Sequence, residues 1–181
     1  MRILRLVGVM AWVLLAIAVS PSRAQVPPGP GEGWLGEFEH ASRQLLQLAE
    51  AIPADKFAWR PAPGVRSVAE VYMHLAIGNQ YLLGKAGAGP TIDLATLGKD
   101  AEKSVTDKAG VIKSLKESLA AIRAAYPSAD RRKKVRFFGK DVTSDDVFLR
   151  ILVHNHEHMG QAVAYARMNG IAPPWSTGSG Q

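Results

Sequence analysis

The chain has 181 residues, 22 Lys plus Arg against 16 Asp plus Glu, 47% hydrophobic residues and no cysteine. That composition suits one globular domain and excludes a disulfide framework, a thiolate metal site, an iron–sulfur cluster and a cysteine nucleophile. The net charge of +6 raises the prospect of a polyanionic partner, until the first residues are set apart. Met1 to Arg5 carries two cations, Leu6 to Val19 runs without a charge, and Ser22-Arg23-Ala24 places small residues where a signal peptidase reads. The pattern predicts a cleavable signal peptide over residues 1–24, cut after Ala24, because the apolar run breaks at Ser20-Pro21 before it reaches the roughly 20 residues of a membrane span. The remaining 157 residues lose Arg2, Arg5 and Arg23 and no acid, which lowers the net charge to +3. The expected location is periplasmic or secreted, with no stable membrane anchor after cleavage, and the residual charge gives no case for nucleic acid.

Residues 25–33, with three Pro and three Gly, read as a flexible leader. Trp34, Phe38, Ala41, Leu45, Leu48 and Ile52 then recur at steps of three and four, the stripe of an amphipathic helix that Pro53 ends. The proline-rich segment from Arg60 to Gly64 forbids a regular element until Ser67. There Ser67-Val68-Ala69-Glu70 has a capping-box pattern and opens a second helix over 68–84, with Val71, His74, Leu75, Gly78, Tyr81 and Leu82 on one side. Residues 91–105 fit no element clearly. Thr106 is the expected cap of a third helix carrying Val111, Leu115, Leu119 and Ile122 inward. Residues 127–142, with the basic run Arg131 to Lys134 and the pair Phe137-Phe138, read as an extended or irregular crossover and a solvated cationic surface. Thr143-Ser144-Asp145-Asp146 starts a fourth helix that runs to Asn169, where Gly170 and Pro173-Pro174 stop it. Four long helices with apolar faces predict an all-α fold, a single four-helix bundle over 34–175 with long connections and a disordered tail at 176–181.

The chemistry-bearing segment is His154-Asn155-His156-Glu157-His158-Met159-Gly160-Gln161. At about 100° per residue, His154 and His158 lie one turn and about 40° apart on one face, whereas His156 is turned about 200° away. Two histidines at this spacing form a metal pair or two core imidazoles satisfied by hydrogen bonds. His74, in the middle of an apolar helix face with Gly78 leaving space one turn on, is open to the same two readings. Three inward histidines from two helices favour one ion. A three-His set with an open position is the pattern of catalytic zinc, because the vacant site admits water or substrate. Gln161, about 20° from His154, is a candidate to orient a metal-bound water. Glu157, about 60° from His154, is a candidate base or a rim carboxylate in solvent.

The run Trp59 to Ser67 leading into His74-Leu75, the segment His154 to Gln161, and Ala164-Tyr165-Ala166-Arg167-Met168-Asn169-Gly170 through Pro173 together resemble the DinB/YfiT-like superfamily. The resemblance extends from Trp34 to Trp175. It implies a four-helix bundle of variant topology and one divalent metal, Zn²⁺ or Ni²⁺, held by His74, His154 and His158. It also implies a thiol-dependent transferase or isomerase, although export separates this chain from the largely cytosolic thiols. Where a frequent family form reads His-Glu-x-His-His-Arg-Gly-Gln, this sequence has Asn155, Glu157 and Met159 at the Glu, first paired His and Arg positions. The ligand positions are kept and their surroundings altered. Three functions follow as expectations: a metal-dependent enzyme of transferase or hydrolase type with an unknown small-molecule substrate, a non-catalytic metal-binding module, and a structural or partner-binding bundle. A homodimer is an open expectation.

Overall fold

The computed structural model describes residues 31–97 and 100–176. The expected signal peptide, residues 25–30 of the expected leader and residues 177–181 of the expected tail lie outside the described residues.

Helix α1 (Gly33–Ala51) buries Phe38, Ala41, Leu45 and Leu48, the stripe read from the sequence. Its last carbonyls are held from another element: Lys108 Nζ donates to Glu50 O and Ile52 O, each at 2.7 Å. A cation there also offsets the negative end of the helix dipole. Helix α2 (Val68–Lys85) starts on the expected capping box. Ser67 Oγ accepts from Glu70 N at 3.2 Å and Ser67 N donates back to Glu70 Oε2 at 2.8 Å. The burial of α2 is wider than the one side expected, since Val68, Ala69, Tyr72, Met73, Ala76 and Leu83 are covered as well. It packs against both of the long helices that follow it in the chain, so a polar residue such as Asn79 meets neighbours rather than water.

A connection follows that holds one helical turn, α3 (Leu94–Leu97), and a 3₁₀ turn at Ala101–Lys103. Helix α4 (Lys108–Ala125) is capped one residue later than expected. Asp107, not Thr106, accepts from Gly110 N, at 2.8 Å. A carboxylate outranks a threonine hydroxyl as a cap, and its charge suits the positive helix end. Val111, Leu115, Leu119 and Ile122 are buried as the period requires.

The crossover after α4 is not irregular. Strands β1 (Lys134–Phe137) and β2 (Lys140–Thr143) pair antiparallel, with Val135 opposite Val142 and Phe137 opposite Lys140. Phe138 and Gly139 both have positive φ, 44° and 75°. That is the backbone of a two-residue hairpin turn of the primed type, in which glycine relieves the second position. The exposed residues Lys134 and Arg136 alternate with the half-buried Val135 and Phe137. Helix α5 (Ser144–Met168) begins directly on β2 through a second capping box, between Thr143 and Asp146. Ser144 Oγ donates to Ala86 O at 2.8 Å and ties the start of α5 to the end of α2.

The result is the four-helix bundle expected, with a short hairpin added. At one level of the core Trp34 stacks on Tyr126 at 4.1 Å and on Phe38 at 5.0 Å, and meets the edge of Phe148 at 5.5 Å. Its Nε1 donates to Phe148 O at 3.0 Å. One aromatic side chain thus joins the start of α1, the end of α4 and the start of α5, with its polar atom satisfied. No described helix is long and apolar enough to cross a membrane.

Candidate metal centre

His74 projects from the middle of α2, and His154 and His158 project one turn apart from α5. The three rings meet, with centroids 4.5 to 5.0 Å apart. One nitrogen from each lies within 4.8 Å of the others, and His74 Nε2 and His154 Nε2 are 3.1 Å apart. Two nitrogens on one tetrahedral zinc ion are separated by about 3.3 Å, from a Zn–N distance of about 2.05 Å. The His74–His154 pair is thus as close as two ligands of one ion, a distance at which one ring also donates a hydrogen bond to the other.

The outward ring nitrogens divide into two kinds. His74 Nδ1 contacts Glu102 Oε1 at 2.7 Å, and His158 Nδ1 donates to Gln161 Oε1 at 2.9 Å. With Nδ1 engaged by an oxygen acceptor, Nε2 is the nitrogen left for the group, and the tautomer is fixed. Each acceptor is itself held. Arg66 grips Glu102 through Nε at 2.5 Å and a terminal nitrogen at 2.9 Å, and Gln161 Nε2 donates to Tyr165 Oη at 3.0 Å. Tyr165 in turn lies edge-on to Trp59, with centroids 5.4 Å apart. The third ring differs, because His154 Nδ1 is buried with no hydrogen-bond partner.

Burial favours the unprotonated form of His154 and His74. Burial, joined by the neighbouring His158 and His74, lowers the His154 pKa to about 4. For His74, burial also outweighs the hydrogen bond it donates to Glu102 and pulls the pKa below its ordinary value. Burial alone would raise the Glu102 pKa, but hydrogen bonds from Arg66 and His74 overcome it and hold the carboxylate ionised. Unprotonated imidazole is the form that binds metal.

Of the residues named from the sequence, the structure brings together His74, His154 and His158, with Gln161 behind His158. Gln161 contacts the ring of a ligand candidate, the His158 imidazole, and its own amide is held by Tyr165. Glu157 is turned away and pairs with Arg150 through both oxygens, at 3.1 and 2.7 Å. His156 faces α1, 3.2 Å from Glu37, with Nδ1 donating to Leu152 O at 3.0 Å. Gly78 does leave space, though for a different ring: a Cβ there would lie 2.6 Å from His154 Cε1. Glu102 was not singled out by sequence reasoning. Its segment has no periodicity, and the one available signal was that a half-buried His74 requires an acceptor.

A cleft of about 610 Å³ is lined among others by Arg60, Arg66, Glu70, Glu102 and Gln161. Two of these are the acceptors behind His74 and His158, so the cleft borders the support of the site. Its charges are largely paired, Arg60 with Glu70 at 3.1 Å and Arg66 with Glu102.

A family model for the DinB superfamily matches residues 37–162, a span that contains all three histidines. The chain belongs to the DinB superfamily. Two solved structures of DinB-like proteins share the fold. One, from Bacillus cereus ATCC 10987, is 18% identical with a TM-score of 0.67, covering 79% of this chain and 95% of its own. The other, from Bacillus subtilis, is 18% identical with a TM-score of 0.58, covering 76% and 92%. No curated protein matches the chain. The DinB bundle and the clustered histidines are together compatible with metal binding.

Proposed function

We propose that this DinB-superfamily protein is exported and is a metal-dependent enzyme, of transferase or hydrolase type, acting on a small molecule at an open position of a three-His site. The observation that carries the reading is the convergence of three imidazole nitrogens within 4.8 Å, two of their rings being aimed by held oxygen acceptors. An all-nitrogen set without thiolate suits Zn²⁺ or Ni²⁺. A divalent ion held there supplies a Lewis acid with room for water or substrate. The protein's own part is to fix the rings: Glu102 with Arg66 holds His74, and Gln161 with Tyr165 holds His158. The cleft lined by Glu102 and Gln161 gives a small molecule a place beside these supports.

A non-catalytic metal-binding role is the second reading. It is favoured by the engagement of both nearby carboxylates, Glu157 by Arg150 and Glu102 by Arg66, neither of which is free to take a proton from substrate. Export rests on the N-terminal charge and hydropathy pattern.

Metal analysis of residues 25–181 tests the reading. The expected result is one Zn²⁺ or Ni²⁺ per chain, lost in His74→Ala, His154→Ala and His158→Ala and retained in His156→Ala. A wild-type chain with no stoichiometric ion, unchanged in stability by either metal, overturns both metal readings. Stoichiometric metal without turnover across hydrolytic and group-transfer substrates leaves the second reading standing alone.

A further inference from the structure

His74 and His158 are each steered by a hydrogen bond on the nitrogen turned away from the group, and His154 is not. An imidazole turns easily about its second side-chain torsion unless something stops it. On the side turned away from His74, what stops His154 is steric. Gly78 lies directly beneath its ring, so that a Cβ there would come within 2.6 Å of Cε1, 3.3 Å of Nδ1 and 3.4 Å of Nε2. Contact across that gap depends on how α2 and α5 are aligned.

The next residue of each helix supplies the alignment. Asn79 and Asn155 are both 0% exposed. Asn155 Nδ2 donates to Asn79 Oδ1 at 2.7 Å and to Ile151 O at 2.8 Å, and Asn79 Nδ2 donates back to Asn155 Oδ1 at 3.4 Å. Asn79 Nδ2 also reaches Ser118 Oγ of α4 at 3.3 Å. Buried amides that lose their partners are left unsatisfied, so a slip of either helix along the other is penalised at this level.

We infer that Gly78 and the Asn79–Asn155 amide pair are positioning residues that hold the His154 ring at the angle from which its Nε2 faces His74. The inference rests on the metal reading. It assigns to α2 and α5 the aiming of the one ligand candidate whose outward nitrogen has no hydrogen bond, the contact of its Nε2 with His74 Nε2 being the one that a shared ion would replace.

Co²⁺, whose visible absorption reports coordination geometry, serves as the probe with the chain 25–181. Gly78→Ala is the decisive variant, because alanine is favoured over glycine inside a helix and the bundle is expected to fold. The expected outcome is a loss of Co²⁺ affinity of about 10- to 100-fold, the range for residues that orient metal ligands, with an altered visible spectrum and unchanged far-UV circular dichroism. Asn155→Ala is expected to weaken Co²⁺ in the same direction. Ser118→Ala, which leaves the amide pair and its bond to Ile151 in place, is expected to bind as wild type does. A folded Gly78→Ala protein with wild-type affinity and spectrum overturns the inference and leaves the metal reading intact, even if Asn155→Ala fails to fold. A loss in Ser118→Ala equal to that in Asn155→Ala also overturns it, since general loosening would then explain both. A wild-type chain that takes up no Co²⁺ removes the metal reading and this inference together.

Discussion

Two of the long connections of the bundle do opposite work. The segment between α2 and α4 has little regular structure, yet its 3₁₀ turn delivers Glu102 to His74 and is clamped there by Arg66. The segment between α4 and α5 folds into a paired hairpin with a built-in cap for α5, and carries the cationic run on its exposed face. It gives no side chain to the histidine group. Regularity and chemical importance are thus inversely placed: the orderly connection stabilises a helix start, and the plain one holds a ring of the histidine cluster. A functional residue in a loop is positioned by what the scaffold around it supplies.

The comparison breaks most readily at Glu102. Glu102→Ala is expected to lower Zn²⁺ affinity by about 10- to 100-fold, measured by competition with a chelator, because His74 loses its acceptor and its fixed tautomer. Unaltered affinity would make the first connection as neutral as the second. Thr143→Ala is the counterpart in the hairpin. It removes the cap hydroxyl of α5 and is expected to cost about 0.5–2 kcal/mol in a urea melt, with Zn²⁺ affinity unchanged.

The pH dependence is a finer test. The Glu102 carboxylate titrates below its ordinary 4.5. Its stabilisation is therefore complete above the unfolded value and is lost as pH falls through the lower folded value. Glu102→Gln is expected to flatten that part of the acid limb of a stability–pH curve. Asp146 is likewise lowered, by the Thr143 hydroxyl and amide, but it is exposed, so Asp146→Asn is expected to change the limb less. The smallest effect belongs to the basic run. Replacing Arg132 and Lys134 by Gln is expected to shift stability by no more than about 0.5 kcal/mol, as for other exposed sites, and to leave metal binding alone.

Much of this was legible in the sequence because helices announce themselves by period. The stripes of α1 and α4, the Ser67 and Thr143 boxes, and the convergence of His154 with His158 but not His156 all follow from 3.6 residues per turn. What was not legible lay across elements. Nothing local marks Glu102 as the acceptor for a histidine 28 residues away. The hairpin was hidden because its alternation covers only four residues per strand, amid lysines and arginines that read as solvated surface. Gly78 was correctly read as space, but which ring fills it depends on helix packing. Thr106 and Asp107 are both cap formers, and a one-residue choice between them is settled by the path of the chain.

The chain of contacts from His158 through Gln161 and Tyr165 ends on an indole, that of Trp59. Indole emission responds to the electric field and to quenchers nearby, so the molecule carries an optical sensor of its own site. Loading of the histidine group should register in ultraviolet fluorescence without a label, and a Trp59→Phe protein would supply the blank. Because the sequence has no cysteine, a single introduced thiol could carry a second dye without competition, and the spacing of α2 and α5 could then be followed as the site fills.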